Sequence, residues 1–365
     1  MQSTSYPRAD LFSDVIERLP ACLDLTALAR QHGALRRPRA VSDGATLLRL
    51  ALARGPGGLS LRDTAGWATL MGIARISNPG VKYRLDRSVA FLEAVLEQQL
   101  ACGSASRGLH WPGRSLQLAD GTCIGQPGST GTDWRVHGVF DLGRGGFSHL
   151  ELTDARGAER LTRGAPRPGE VRIADRYFAR AGVLHQFRQA SADQADFIVR
   201  AGWNAFRLRD VTGAAFDLIG HLQTLPASLS TSDVPVQATV DRDTTLPLRL
   251  VILRKSAEAA QATRRKLVVS ASRKQKTLDP RSLVAAEFLV LATSLPPQAY
   301  PAADVLAAYR LRWQIELAFK RLKSLLKIDQ LPTQTAHASR SWLLSHLILA
   351  LICDKVSQDV LEAFP

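Results

Sequence analysis

The sequence predicts an α/β protein with a helical region ahead of the mixed part, and three observations carry that prediction. Apolar residues in the first hundred positions recur at helical spacing, as in Leu48, Ala51 and Leu52. From about Trp111 the period shortens to that of strands, and strand-like runs then alternate with helix. Two of those runs end in an aspartate, and a late amphipathic stretch, Tyr309 to Lys323, sets one carboxylate among five cations.

Bulk properties bound the function. At 365 residues and 45% hydrophobic content, the chain can bury a large core and form two or three domains. Its 47 Lys and Arg against 33 Asp and Glu leave a net charge of +14, which favours polyanions, nucleic acid first and acidic membrane surfaces second. Cys22, Cys102, Cys123 and Cys353 show no CxxC or His/Cys metal spacing, the pattern of a reduced cytosolic protein without structural zinc. Tyr6-Pro7 is followed by charged Arg8 and Asp10, so no signal peptide is read there. Trp342 to Cys353, the most apolar segment, is too short to span a bilayer. A soluble, cytoplasmic protein with no membrane partner is expected. No GxSxG, P-loop or dinucleotide fingerprint occurs.

Residues 1–108 read as helical. The helix through Leu48 to Leu52 stops at Gly55-Pro56-Gly57-Gly58, and Ser60 can cap a second one running through Trp67 to Leu70. A turn at Gly72 leads to Ser77-Asn78-Pro79-Gly80 and a basic helix. Helix, turn and basic helix suggest a helix-turn-helix DNA reader, with Lys82, Arg84 and Arg87 toward phosphate or bases. The same residues also fit a plain helical bundle with surface arginines. Gly103 to Gly108 reads as a linker.

Residues 109–202 change character. Ser115 to Thr122 is a strand carrying Asp120 at its end, Trp134 to Leu142 and Phe147 to Thr153 form a hairpin across Gly143-Arg144-Gly145-Gly146, and Glu170 to Tyr177 is a strand with Asp175 at its end. A helix through Leu184 to Gln189 and a strand at Phe197 to Arg200 follow. This is the pattern of the first part of a ribonuclease H-like core. Residues 203–286 give short alternating runs, among them Phe216 to Ile219 and Lys266 to Val269, and read as a β-rich insertion. Its clusters Arg264-Arg265-Lys266 and Arg273-Lys274-Gln275-Lys276 are candidates for gripping a DNA backbone, or else solvated loops. Residues 287–330 supply a last strand, Glu287 to Thr293, and the amphipathic helix; residues 331–365 form a C-terminal helical segment.

Read as one helix at about 100° per residue, Tyr309, Arg312, Glu316, Lys320, Lys323 and Lys327 share a face, opposite Leu311, Ile315, Ala318, Leu322, Leu325 and Leu326. Asp120, Asp175 and Glu316 are therefore three carboxylates in suggestive places. Two Mg²⁺ ions about 4 Å apart can drive in-line attack on a phosphodiester, and each takes few protein carboxylates. Singly, Asp120 before Gly121 also fits a turn, and Glu316 between Arg312 and Lys320 a surface ion pair. A carboxylate pair also serves glycosidases, but that class leaves the basic face unexplained. His137 fits a structural hydrogen bond better than a place beside a metal.

Tyr309-x2-Arg312-x3-Glu316-x6-Lys323 resembles the Y-R-E-K signature of the DDE transposases of bacterial insertion sequences, in the insertion-sequence-four family. Asp120-Gly121-Thr122, Gly131 to His137 and Ala174-Asp175-Arg176-Tyr177 resemble that family's other blocks, so the likeness runs from about Arg36 to the late 320s. The resemblance implies a ribonuclease H-like catalytic core interrupted by a β-rich insertion and preceded by a helical DNA-binding domain. It implies that Asp120, Asp175 and Glu316 hold two Mg²⁺ ions, with Mn²⁺ as substitute, and that Tyr309, Arg312 and Lys323 hold DNA near the cleaved end. Lys320 on the same face suggests DNA as well. It further implies cleavage of the terminal inverted repeats and transfer of the 3′-hydroxyl ends to target DNA, by a homodimer on the DNA in the bacterial cytoplasm and nucleoid. A hairpin route would need an aromatic platform for a displaced base, for which Trp203 and Phe288 are the candidates. The family leads one to expect more helical sequence after Trp342, so the C-terminus reads as truncated. The alternative is a catalytically silent or domesticated transposase-derived DNA-binding protein.

Overall fold

The computed structural model describes residues 11–102, 111, 113–228 and 230–363. The linker expected at Gly103 to Gly108, and with it the boundary at 108, lies outside the described residues. Two units share the chain. The first comprises Met1–Ser106, Gly121–Ala158 and Glu316–Pro365, the second Arg107–Asp120 and Glu159–Ile315.

Six helices open the first unit: α1 (Leu11–Glu17), α2 (Leu25–Gln31), α3 (Gly44–Arg54), α4 (Leu61–Leu70), α5 (Asn78–Asp86) and α6 (Val89–Ala101). Side chains start four of them. Asp24 accepts from the N–H groups of Thr26 and Ala27, Asp43 from Thr46, Ser60 from Asp63 and Ser77 from Gly80. Each cap satisfies N–H groups that no preceding carbonyl reaches and stabilises its helix by about 1 kcal/mol. Helices α4 and α5 form where the helix-turn-helix is expected. Their connection, residues 71–77, is longer than the roughly three to four residues of a DNA-reading turn.

The first unit also holds the hairpin of β2 (Trp134–Asp141) and β3 (Gly146–Asp154), paired antiparallel as the sequence predicts. Gly138 in β2 is required by close packing, since a Cβ there would lie 2.8 Å from the Phe147 ring and 2.9 Å from that of Phe319. The unit is built around α13 (Ala336–Ala363), which packs on α3, α5, α6 and β3 and buries Leu343, Leu344, Leu347 and Ile348. Its span Ala336–Val360 is long and apolar enough to cross a membrane, longer than the segment expected from the sequence, but 67% of its most apolar window is buried within the protein. His346 on this helix meets the Trp342 carbonyl at 2.8 Å through Nδ1, and burial pulls its pKa down to about 4.

The second unit is a sheet with helices on it. Its strands are β1 (Ser115–Ile124, whose last four residues pass into the first unit), β4 (Glu170–Ala174), β5 (Asp196–Arg200), β6 (Leu208–Arg209), β7 (Thr231–Thr239), β8 (Thr245–Arg254) and β9 (Phe288–Thr293). They lie in the order β1-β4-β5-β9-β8-β7-β6, the first three parallel and the rest antiparallel. Helix α7 (Ala181–Ala190) makes the crossover from β4 to β5 that a parallel pair needs, burying Leu184 and Phe187 against Phe197 and Val199.

Two expectations for 203–286 are corrected here. Phe216 to Ile219 runs into α8 (Leu218–Thr224), started by the Asp217 carboxylate accepting from the Ile219 N–H. Lys266 to Val269 lies inside α9 (Ala257–Arg273), where an alanine-rich run of good helix formers outweighs the strand preference of Val268-Val269. With α10 (Pro280–Ala285), the segment is mixed helix and strand, and β7 and β8 extend the sheet beside β9 rather than forming a separate β body.

Candidate active site

Strands β1 and β4 are parallel, and their register ends at Ala119 opposite Ala174. The next residue on each is a carboxylate, Asp120 on β1 and Asp175 just past β4. Neighbouring parallel strands lie about 4.8 Å apart, and each aspartate directly follows the last paired residue of its strand. Asp175 ends its strand by capping the short 3-10 turn Arg176–Phe178: Oδ1 accepts from the Tyr177 N–H at 2.7 Å. Its Oδ2 receives no hydrogen bond among the described residues. That is the local reason the chain turns there, and it leaves one carboxylate oxygen for a ligand.

Helix α11 (Ala302–Arg310) packs on β5, β7 and β8 in the same unit and brings Tyr309 to Asp175. Burial pushes the Tyr309 phenol up from its ordinary value. Arg312, which hydrogen-bonds it and whose guanidinium carbon lies 5.9 Å from the ring centroid, pulls it back, as does Arg200, while Asp175 adds to the rise. Arg312, Arg200 and Asp175 are thus the charged groups gathered near the Tyr309 phenol. Arg200 was not anticipated. The signal was present, since it ends β5, the third parallel strand, where the first two carry aspartates.

The stretch from Tyr309 to Lys323 is not one helix. α11 ends at Arg310, and α12 (Trp313–Ser324) begins after a turn closed by three-residue hydrogen bonds, Arg312 N–H to Tyr309 O at 3.1 Å and Gln314 N–H to Leu311 O at 3.0 Å. That tighter winding breaks the 100° register between Tyr309 and Glu316. Lys327 falls beyond α12 at φ +56, and Leu325, expected in the core, is 73% exposed. Ile315, Ala318 and Leu322 are buried as expected.

Glu316, in the first turn of α12 and exposed, is the first residue of that segment to belong to the first unit. Asp120 and Asp175 belong to the second. Within the first unit Lys323 donates to the Cys123 carbonyl at 3.3 Å, on the tail of β1 three residues beyond Asp120, and Lys320 is exposed. Among the described residues no group of three or more His, Cys, Asp or Glu forms a ready-made metal cluster.

The remaining candidates divide. Lys82 pairs with Asp86 at 2.5 Å, and Arg84 donates to the carbonyls of Ala34 at 3.4 Å and Arg37 at 3.2 Å. Trp203 donates from Nε1 to Ser282 Oγ at 3.1 Å, with Arg281 4.2 Å above its ring. Phe288 is 4% exposed, in the core under Arg254. His137 is buried and bonded to Thr153 Oγ1 at 2.9 Å, the structural role the sequence favoured.

The family model described as Transposase DDE domain matches residues 111–352. The chain is 37% identical, over 98% of its length and 96% of theirs, to the protein named as transposase InsL for insertion sequence element IS186A of Escherichia coli K12 and to the transposase for insertion sequence element IS421 of Escherichia coli. A solved piggyBac transposase synaptic complex with hairpin DNA is similar at a TM-score of 0.45 and 8% identity, covering 95% of this chain and 72% of that one. With two-thirds of its length matched by the family model and nearly all of it by these relatives, the chain belongs to the DDE-domain transposases of insertion sequences.

Proposed function

We propose that this transposase cleaves the terminal inverted repeats of its element and joins the freed 3′-hydroxyl ends to target DNA by in-line phosphoryl transfer, with Asp120, Asp175 and Glu316 as its metal-binding carboxylates. The observation that supports the reading is the register of β1 and β4, which pairs Ala119 with Ala174, the residues just before Asp120 and Asp175. Hard carboxylate oxygens in such a pair suit Mg²⁺, with Mn²⁺ as substitute. The Asp175 Oδ2 without a donor fits that use. Bound there, two such ions would activate the attacking hydroxyl and neutralise charge on the leaving oxygen.

The chain's own residues do the positioning. Arg312 and Arg200 would supply guanidiniums near Tyr309 that suit a phosphate's paired oxygens, and Tyr309 a protonated hydroxyl donor. Lys323 and Lys320 on α12 add point charges for the DNA backbone. Of the two aromatic candidates for a displaced base, Trp203 is favoured, because Phe288 lies in the core; Trp203 would exchange Arg281 for the base. The helical region before β1 would hold the inverted repeats, and a homodimer would pair the two ends in the bacterial cytoplasm. Segments 109–202 and 287–330 would form the ribonuclease H-like core around the strand ends.

The test uses a duplex copied from the DNA flanking the gene. Nicking that requires Mg²⁺ or Mn²⁺, and is lost in Asp120→Ala, Asp175→Ala and Glu316→Ala while binding persists, is expected. Binding without metal-dependent nicking by the unaltered protein would leave only the non-cleaving DNA-binding alternative.

A further inference from the structure

Outside the candidate active site, the first unit holds a strongly charged open cleft of about 690 Å³ between the 33–40 segment after α2 and the start of α5. Arg36, Arg37, Arg39, Arg75, Arg84 and Arg87 line it, with no Asp or Glu among its lining residues. Among the described residues none of the six is ion-paired. The cleft is also built rather than incidental. Arg84 is half-buried and spends its guanidinium on the carbonyls of Ala34 and Arg37, which fixes the 33–40 segment against α5. Arg87 lies 4.4 Å over the ring of Tyr83, which is 53% exposed at the rim. Arg36, Arg37, Arg39 and Arg75 are exposed along it.

Like charges gathered in one cleft repel one another. Arg36 and Arg87 also line an adjoining cleft with Asp86 and Glu93, whereas Arg37, Arg39 and Arg75 do not, and an external polyanion would relieve the repulsion among them. Guanidiniums are also the groups best matched to phosphate oxygens.

We propose that this cleft clamps the sugar-phosphate backbone of DNA, with Arg36, Arg37, Arg39, Arg75 and Arg87 as phosphate ligands and Arg84 as the positioning residue that shapes it. The proposal rests on the reading of the protein as acting on DNA. The helix-turn-helix expectation puts Lys82, Arg84 and Arg87 toward phosphate or bases; here Arg84 shapes the surface, the cleft extends it to Arg36, Arg37, Arg39 and Arg75, and what it recognises is backbone, not sequence.

The experiment measures binding of the full chain to two 30-base-pair duplexes, one copied from the DNA flanking the gene and one of scrambled sequence, across 50 to 300 mM salt. For Arg36→Ala/Arg75→Ala, binding to both duplexes is expected to weaken about tenfold at 150 mM salt, with the slope of log affinity against log salt falling by about two. Arg36→Lys/Arg75→Lys should keep most of the slope, and an unchanged melting temperature shows the fold intact. Loss confined to the flanking duplex would overturn the backbone assignment, and unchanged binding on both would overturn the cleft as a DNA site. Metal-dependent nicking by the unaltered protein is read on the same duplex, so failure of the cleft and failure of the transposase reading give different results.

Discussion

Strand β4 and helix α9 lie in the same unit and both carry arginine, but they are held in opposite ways. Every residue of β4 is buried, and its register to β1 and β5 is fixed by parallel pairing on both sides. Helix α9 runs for 17 residues, and of these Ala260 is the buried one; Val268 and Val269 stand 53% and 49% exposed among Arg265, Lys266, Arg273 and Lys274. The difference separates two demands. A metal-binding carboxylate has to be placed within about 0.5 Å, which packing and register can do and an exposed helix cannot. A charge that meets a polyanion through its counterion atmosphere needs no such placement.

The largest effect expected is at the end of the rigid strand. Asp175→Ala should lower metal-dependent nicking by about a thousandfold or more, because it removes a ligand and the charge that balances the metal, while end binding changes little. Single-turnover cleavage with a parallel binding titration measures both. A variant that still nicks within tenfold of the parent would remove Asp175 from the chemistry.

Next comes the clamp under that strand. Arg172 on β4 is buried against Glu170 and donates to the carbonyls of Leu161, Arg163 and Gly164, the last two at 2.9 Å. Burial lowers the Arg172 pKa and raises that of Glu170, while each partner offsets the other's shift. Arg172→Met should cost about 3–5 kcal/mol, since it leaves Glu170 buried without its cation. Adding Glu170→Gln should recover part of that loss but not all, because the loop carbonyls stay unsatisfied. Urea denaturation of the three proteins decides it; equal stability of single variant and parent would show that the clamp does not hold β4.

Smaller again is Tyr309→Phe. The ring and its packing remain, so stability should change by about 1 kcal/mol or less, while the lost donor should slow cleavage about tenfold. The phenol is raised from its ordinary value, so it stays protonated and donating through neutral and moderately alkaline pH. The rate profile of the parent should therefore show no inflection from it below about pH 10. An inflection near pH 8 that Tyr309→Phe removes would assign it a proton-transfer role instead.

How far the sequence shows all this follows the same division. Strands β1, β2, β3, β4, β5 and β9 lie where alternation and turn residues put them, because both faces or one face of each is buried and the apolar pattern records it. The strands carrying Asp120 and Asp175 were legible for that reason, although β1 does not end at Asp120 as expected but runs on to Ile124. The break between α11 and α12 was not: no glycine or proline marks it, and the tighter hydrogen bonds at Arg312 leave the apolar spacing of either half intact. Nor was the arginine cleft legible, since it joins residues 36–39 to Arg75 and Arg87 through tertiary packing, and Arg84 shows its framing role only through the carbonyls it reaches. In α9 the Val-Val pair mimics a strand, because the packed face of the helix holds only Ala260 buried with Thr263, Leu267 and Ala271 half-buried, and the two valines lie off it.

The smallest effect should come from α9 itself, and it is the sharpest test of the contrast with β4. Replacing Arg265, Lys266, Arg273 and Lys274 by alanine keeps good helix formers at exposed positions, so stability should move by about 0.5 kcal/mol or less. The Ser256 cap, whose Oγ accepts from the Ala259 N–H at 3.3 Å, and the ion pair of Arg264 with Glu287 stay in place to hold the helix. Binding to DNA should weaken only a fewfold at 50 mM salt and converge with the parent near 300 mM, since each charge acts by releasing counterions and screening removes that advantage. Melting curves and binding isotherms at the two salt concentrations read the outcome. A melting temperature lowered by about 10 °C would mean that α9 carries packing its exposure does not show. An affinity loss that persists at high salt would mean that its cations are placed as closely as the strand-end aspartates.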